Sequence, residues 1–533
     1  MKKIYTLLFL GGLLSLSSCD KDFEEINSNP NSPDAFISYA VFNSANKSLM
    51  DGTRGAFSSG RVALQWMQYS AQTNYTEEDR YQYRPTSGDN LWATYYLRAQ
   101  DYKTIIDLNA SEKTKGESSN YGKNENQIAA SRIMLAYIFS NLADTFGDVP
   151  YYSFGNNNPD FQALDSDKTL TPVYVSQEVI YADILKELKE AVAMTVGEDT
   201  DKVFVKGDAL FGSVGKMKRF ANSLRLRVAN RVKNVPALSA VAQTHITEAI
   251  ASGVMQSNDD TVGLTYENNK VAPSPMYTAF FVDARVDFAA GSSFVELLKG
   301  ERGSFGADPR LQKYVTPRNT KIGQVRDNTY AESDNLADYV GMPYGIPNHL
   351  TESQVAAGVS FFSSNVLKAN YTEVLMEYAE VCFLLSENNS WDDAWYKKGV
   401  QASMERWGVD ATKSAAFVAT LAPANEENVI TQKYVALYMQ PYEAWSEYRR
   451  TGFPNVLNKV GQTYNLNAPY KEKDKPDVTN YVFNSLVEGV TDLPARLLYS
   501  ARYSQLNKEN YAKALQNMGM SDDSMTHKLI WAK

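Results

Sequence analysis

The chain has 533 residues, beyond the roughly 250–300 that a single compact core sustains, so it forms a multi-part domain or a helical array with an extended core. Hydrophobic residues make up 44% and charged residues 22%, an ordinary globular balance that argues against long disorder. The formal charge of −9 argues against nucleic acid or anionic lipid as the main partner.

Lys2 and Lys3 precede an apolar run from Ile4 to Leu14, and Leu16-Ser17-Ser18-Cys19 closes it with small residues. These are the three parts of a secretory signal, expected over 1–18, and the run is short of the about 20 residues a membrane span needs. The position of Cys19 resembles a bacterial lipobox, in which that thiol is acylated and becomes the new N-terminus; the alternative is an ordinary signal with an incidental cysteine. Two acyl chains would anchor a soluble domain stably to a membrane. Residues 19–34, with Pro30 and Pro33 among polar residues, read as an extended tether, and 35–533 as the folded domain.

Helical periodicity dominates from there. It predicts helices over 36–49, 58–70, 89–108, 128–142, 180–192, 217–232 and 237–252. Further ones follow near 374–385, at 391–407, near 434–448 and at 508–517. Many amphipathic helices without a strand-rich block predict an all-α fold, paired helices stacked as a tetratricopeptide-like α-solenoid. No repeat period shows in the letters. Residues 254–350 and 452–495 are rich in Gly, Pro, Asn and Asp and lack a sustained period, which marks long irregular insertions.

The chemistry of catalysis is largely missing. His245, His349 and His527 are widely separated, and none has metal-ligand spacing. No G-x-S-x-G elbow occurs, and Cys382 falls on an apolar helix face, where a packed thiol is expected. Gly212-Ser213-Val214-Gly215-Lys216 has neither the spacing of a phosphate loop nor its Ser or Thr after Lys. Neither a cofactor nor a metal is called for. Carboxylate clusters such as Glu77-Glu78-Asp79 and Asp392-Asp393 would serve glycoside hydrolysis only if paired across a cleft. The unusual feature is aromatic: 34 Tyr, 23 Phe and 7 Trp against 3 His. Such rings serve helix seams, interfaces and sugar-binding surfaces alike.

Six strings stand out: TFGDVPY at 145–151, NSLRLR at 222–227, DPRL at 308–311, YAEVCFLLSE at 378–387, QKYVALY at 432–438 and EAWSEYRRTGFP at 443–454. Arg225, Arg227, Arg231, Arg449 and Arg450 interrupt apolar helices there, and such arginines pair with carboxylates like Glu377, Glu380 or Glu443. With the lipobox and the Asn29-Pro30-Asn31-Ser32-Pro33 tether, these strings resemble the SusD/RagB family of Bacteroidetes outer-membrane lipoproteins, in its SusD-like 2 branch. The resemblance implies four tetratricopeptide-like helix pairs carrying an irregular binding face, and no catalytic activity. It also implies a cell-surface protein that captures a nutrient for a SusC-like TonB-dependent barrel. The acidic stretch Asp20 to Glu25 resembles the signal for outer-leaflet display. Oligosaccharide is the expected ligand, peptide the alternative, and a surface glycosidase the third reading. The resemblance implies binding through the loop between the early helices and the long irregular middle insertion, which here are 71–92 and about 270–290, with 340–346 in addition. The expected ligand-binding residues are Asn74, Tyr75, Tyr81, Tyr83, Arg84 and Trp92, then Tyr277, Phe280, Phe281 and Arg285, and Tyr344 in its Gly-Met-Pro-Tyr-Gly turn.

Overall fold

The computed structural model describes residues 37–269 and 271–533. The signal segment 1–18, Cys19 and the tether 19–34 lie outside the described residues.

Ten longer helices carry the fold. They are α1 (Ser38–Arg54), α2 (Pro85–Ala110), α3 (Asn124–Phe146), α4 (Gln177–Ala193), α5 (Val214–Val232), α6 (Ser239–Ala251), α7 (Tyr378–Asn388), α8 (Asp393–Arg406), α9 (Glu426–Ala436) and α10 (Pro441–Thr451). Neighbours in sequence pack on one another from α1 through α6; α7 then packs on α8, on α9 and back on α5. The pairs α1–α2, α3–α4, α5–α6 and α7–α8 form the expected array, and α9 with α10 closes it. Helix α3 is apolar on nearly every side and buried along its length, as a central helix requires. It stops at Gly147, whose φ of 97° suits only glycine and whose missing Cβ would sit 2.7 Å from the Met518 sulfur.

Among the described residues strands occur only as small pairs. Three stretches that read as single helices are divided by them or by turns. The 58–70 segment becomes a wide turn Ala56–Gly60, a short helix Ala63–Trp66 and a strand Ser70–Gln72 paired with Phe288–Ala290. Residues Thr372–Met376 form a strand against Val262–Thr265 before α7 begins, because a partner strand outweighs local helical spacing. Between α9 and α10, Met439 turns at φ 67° and Pro441 restarts a helix as its first residue. The irregular region 254–350 contains a helix, Ser292–Lys299, and 452–495 contains a hairpin of Thr463–Tyr470 with Val478–Val482.

Buried ion pairs tie the helices into register. Arg227 of α5 donates to Glu380 of α7 at 2.6 Å. Arg231 reaches Glu443 at 2.7 Å and Glu447 at 2.8 Å, both on α10. Lys433 of α9 meets Glu447 at 2.9 Å, and Arg450 forks onto Glu387 at 2.8 Å and onto Glu447. The anticipated partner Glu377 instead faces Arg406 at 3.0 Å. Arg449 lies over the Trp445 ring at 3.6 Å and the Trp531 ring at 4.9 Å. These pairs fix how helices dock more than they add net stability.

Candidate functional site

The first two segments singled out in the sequence are joined by the strand pair Ser70–Gln72 and Phe288–Ala290, with Gln72 opposite Phe288. The pairing extends one step: the Thr73 N–H donates to the Asp287 carbonyl at 2.8 Å, and its hydroxyl to the Val286 carbonyl at 3.0 Å. Past this point Asn74 and Tyr75 are exposed. Tyr75 holds a φ of 60°, uncommon for a tyrosine, and its N–H donates to the Asn348 side-chain oxygen at 2.9 Å. Asn348, two residues past the third segment, brings the chain that follows it to the same face.

A chain of alternating charge runs beside it. Arg84 meets the Glu78 carboxylate at 2.5 Å, Arg61 lies 3.9 Å from Glu78 and 3.3 Å from Asp287, and Arg285 reaches Asp287 at 3.1 Å. Arg61 and Glu78 are buried, whereas the Arg84 and Arg285 side chains are 50% and 41% exposed, so the two ends offer cations to solvent. The Phe57 ring is 47% exposed, with the Arg61 guanidinium 4.7 Å and the Arg285 guanidinium 5.7 Å from its centre.

Phe57 and Arg285 border an open cleft of about 580 Å³ between the end of α1, the face of α2 and the loop 271–285. Its lining is mostly apolar, with exposed Leu97 on α2 and Pro273 and Pro275 on the loop. Gly52 permits the close approach of α1 to α2, since a Cβ there would meet the Thr94 side chain at 2.4 Å. Asp51 at the rim is tied down by Lys47 at 2.6 Å and by the Tyr266 hydroxyl at 2.6 Å. Apolar walls with a few polar groups at the edge suit ligand binding.

Several expected ligand residues lie inside the fold. Tyr81 is 1% exposed and edge-on to Trp66 and Phe483; Tyr344 is fully buried against the same Phe483 ring. Trp92 is 2% exposed at the centre of Tyr96, Phe146, Tyr499 and Tyr503. Phe280 is likewise buried, beside Phe362. Large rings repay burial, and none of these four presents a ring face to solvent. Tyr83 is half-buried and its hydroxyl lies inside the fold, where burial pushes its titration upward. Tyr277 and Phe281 form an edge-to-face pair at 4.9 Å, both half-buried. They lie on the other side of their short helical segment from Pro275, Thr278 and Ala279, which line the cleft. Arg285 alone of the expected residues borders the cleft; Arg84 belongs to its charge chain, and Asn74 and Tyr75 flank it. The sequence reading missed Phe57, Arg61 and Asp287. A large ring within Gly55-Ala56-Phe57-Ser58-Ser59-Gly60, a stretch otherwise of small residues, was the available signal.

The histidines stay apart. His245 accepts from Arg225 at 2.6 Å and is pushed down to about 4 by burial and by that cation. His349 lies edge-on to Tyr470. Among the described residues no cluster of His, Cys, Asp or Glu has the arrangement of a metal site. Cys382 is fully buried, and burial pushes its thiol up to about 12, which makes it inert packing. Among the described residues no helix is long and apolar enough to cross a membrane.

Residues 30–473 match a family described as starch-binding and associating with the outer membrane, SusD-like 2. Residues 419–532 match the SusD and RagB outer-membrane lipoprotein family. No curated protein matches the chain. Solved structures share the fold. A chitin-binding SusD homologue from Flavobacterium johnsoniae is 22% identical with a TM-score of 0.68, over 93% of this chain and 98% of that one. A SusD homologue from Bacteroides uniformis is 20% identical with a TM-score of 0.71, over 94% and 100%. One from Bacteroides fragilis is 22% identical with a TM-score of 0.69, over 92% and 99%.

Proposed function

The chain belongs to the SusD-like family of outer-membrane lipoproteins, and from that premise we propose that it captures oligosaccharides at the cell surface and passes them to a SusC-like TonB-dependent barrel. Binding takes place in the cleft between α1, α2 and the loop 271–285, with no chemical step. Attachment is through acylated Cys19. The observation that carries the reading is the half-exposed Phe57 ring beside Arg285, at the mouth of a cleft large enough for sugar units. An apolar ring face meets the axial hydrogens of a pyranose, while Arg285 and Asn90 at the lining supply partners for hydroxyls. Chitin binding by a structural relative supports the ligand class.

The described lining holds one aromatic ring and the Lys47–Asp51 pair, which favours peptides as a second reading. Calorimetric titration separates the two. Chitohexaose, maltohexaose and a mixed tryptic peptide pool are titrated into the wild type and into Phe57→Ala. One hexasaccharide binds the wild type and binds the variant about tenfold or more weakly, since a stacking ring contributes of order 1 kcal/mol or more. Binding of peptides alone would transfer the assignment to the second reading. Release of reducing ends from a bound saccharide would overturn the absence of chemistry.

A further inference from the structure

A second cavity, of about 350 Å³, lies between the first turn of α5 and the end of α8 and shares no lining residue with the cleft. Three cations line it: Lys216 from the Gly212-Ser213-Val214-Gly215-Lys216 string, Lys368 from the loop before the Thr372–Met376 strand, and Arg406 at the last turn of α8. Arg406 is anchored from behind by buried Glu377 at 3.0 Å. Neither lysine ammonium forms an ion pair among the described residues. Asp259, exposed, is the one carboxylate in the lining; its neighbour Asp260 is engaged by Arg219 at 2.8 Å. Trp407 forms part of the wall, and its buried indole N–H has no acceptor among the described residues.

Lys216 and Lys368 have no direct ion-pair partner among the described residues; Asp260, Asp208 and Asp259 only partly offset the burial of Lys216, and an incoming anion supplies the missing direct contact. Burial holds Lys216 below the ordinary lysine range, and burial together with the Arg406 charge does the same to Lys368. Nothing about the sugar-binding cleft calls for this arrangement, and the helix packing does not use either ammonium.

We propose that this cavity binds an oxyanion, the carboxylate or sulfate of a small acidic ligand, between Lys216, Lys368 and Arg406. Its volume is that of a pocket for one small molecule rather than for a chain. Lys216 and Lys368 act as point charges, and Arg406, already paired, adds its remaining N–H groups.

The test titrates the purified full chain with methyl glucuronide, sodium sulfate and the neutral methyl glucoside at constant ionic strength. Lys368→Met, Lys216→Met and Phe57→Ala are measured in parallel, with circular dichroism as the fold control. Methyl glucuronide or sulfate binds the wild type, and each lysine variant binds about tenfold or more weakly, while Phe57→Ala binds as the wild type does. Competition between the two anions identifies one shared site. Sulfate binding without the glucuronide assigns the cavity to a free inorganic anion; the reverse assigns it to an acidic sugar. Absence of binding by either anion overturns the proposal, as does equal binding of methyl glucoside. So does unchanged affinity in Lys368→Met when circular dichroism shows an intact fold. None of these outcomes bears on the cleft, whose ligand is read through Phe57.

Discussion

Replacing Arg450 with methionine removes the cation that joins two buried carboxylates. Its guanidinium donates to both Glu387 oxygens at 2.8 Å and to Glu447 at 3.0 and 2.8 Å. Without it, Glu387 keeps Lys233 at 2.9 Å and Asn230 at 3.0 Å, and Glu447 keeps Arg231 and Lys433. Breaking a buried pair from one side costs about 3–5 kcal/mol, and the surviving partners place this case near the lower end. The pH dependence gives a second readout. Burial alone would raise Glu387, but Arg450 and Lys233 more than offset it and hold the carboxyl at about 2 against an ordinary 4.5. Arg450 is the largest attractive cause of that depression and Lys233 the second. A depressed carboxylate stabilises the fold fully above its unfolded value and loses that contribution as pH falls through the folded one. The gap between wild type and Arg450→Met is therefore about 3 kcal/mol at pH 7, set by the broken pairs, and narrows in acid as Glu387 is protonated. Urea unfolding followed by circular dichroism from pH 7 into acid measures it. A gap below about 1 kcal/mol at pH 7, or one that does not change with acid, would refute the reasoning.

Other consequences concern single residues. Tyr81→Ala empties a buried ring site between Trp66 and Phe483 and lowers stability by about 3–5 kcal/mol in denaturant titration, with saccharide affinity of the folded protein unchanged. Cys382, fully buried with its thiol near 12, stays unmodified by a thiol reagent at mildly alkaline pH and reacts once the chain is unfolded, as peptide mass mapping reads. Cys19→Ala shifts the protein from the membrane fraction to the soluble one while its circular dichroism is retained.

The helical array was legible because α4 and α5 carry an apolar period and α3 is apolar almost throughout, so each reads as a helix whatever it packs on. The arginine-interrupted helices foretold buried carboxylate pairs, and Arg227–Glu380 and Arg231–Glu443 exist as such. What failed was the local conformation or burial that a distant strand or ring decides. Thr372–Met376 spells a helical continuation of α7, yet it pairs with a strand more than a hundred residues upstream. The site suffered most from this limit. Tyr81, Trp92, Phe280 and Tyr344 sit in loop-like or half-periodic sequence that looks exposed, and only the tertiary contacts of Phe483, Tyr499 and Phe362 show them to be interior. Phe57 was hidden for the opposite reason. Its flanks looked like the start of a helix face, while the chain makes a wide turn there and leaves the ring beside Arg61 and Arg285.

Hydrogen exchange with and without a saturating hexasaccharide locates the bound sugar on the intact protein. The cleft predicts slowed exchange in residues 52–61, along the 90–97 face of α2 and in the loop 271–287, with the 81–83 backbone and the α9–α10 pair unaffected. Protection confined to other segments, in a protein that demonstrably binds the sugar, would contradict the assignment of the cleft as the capture site.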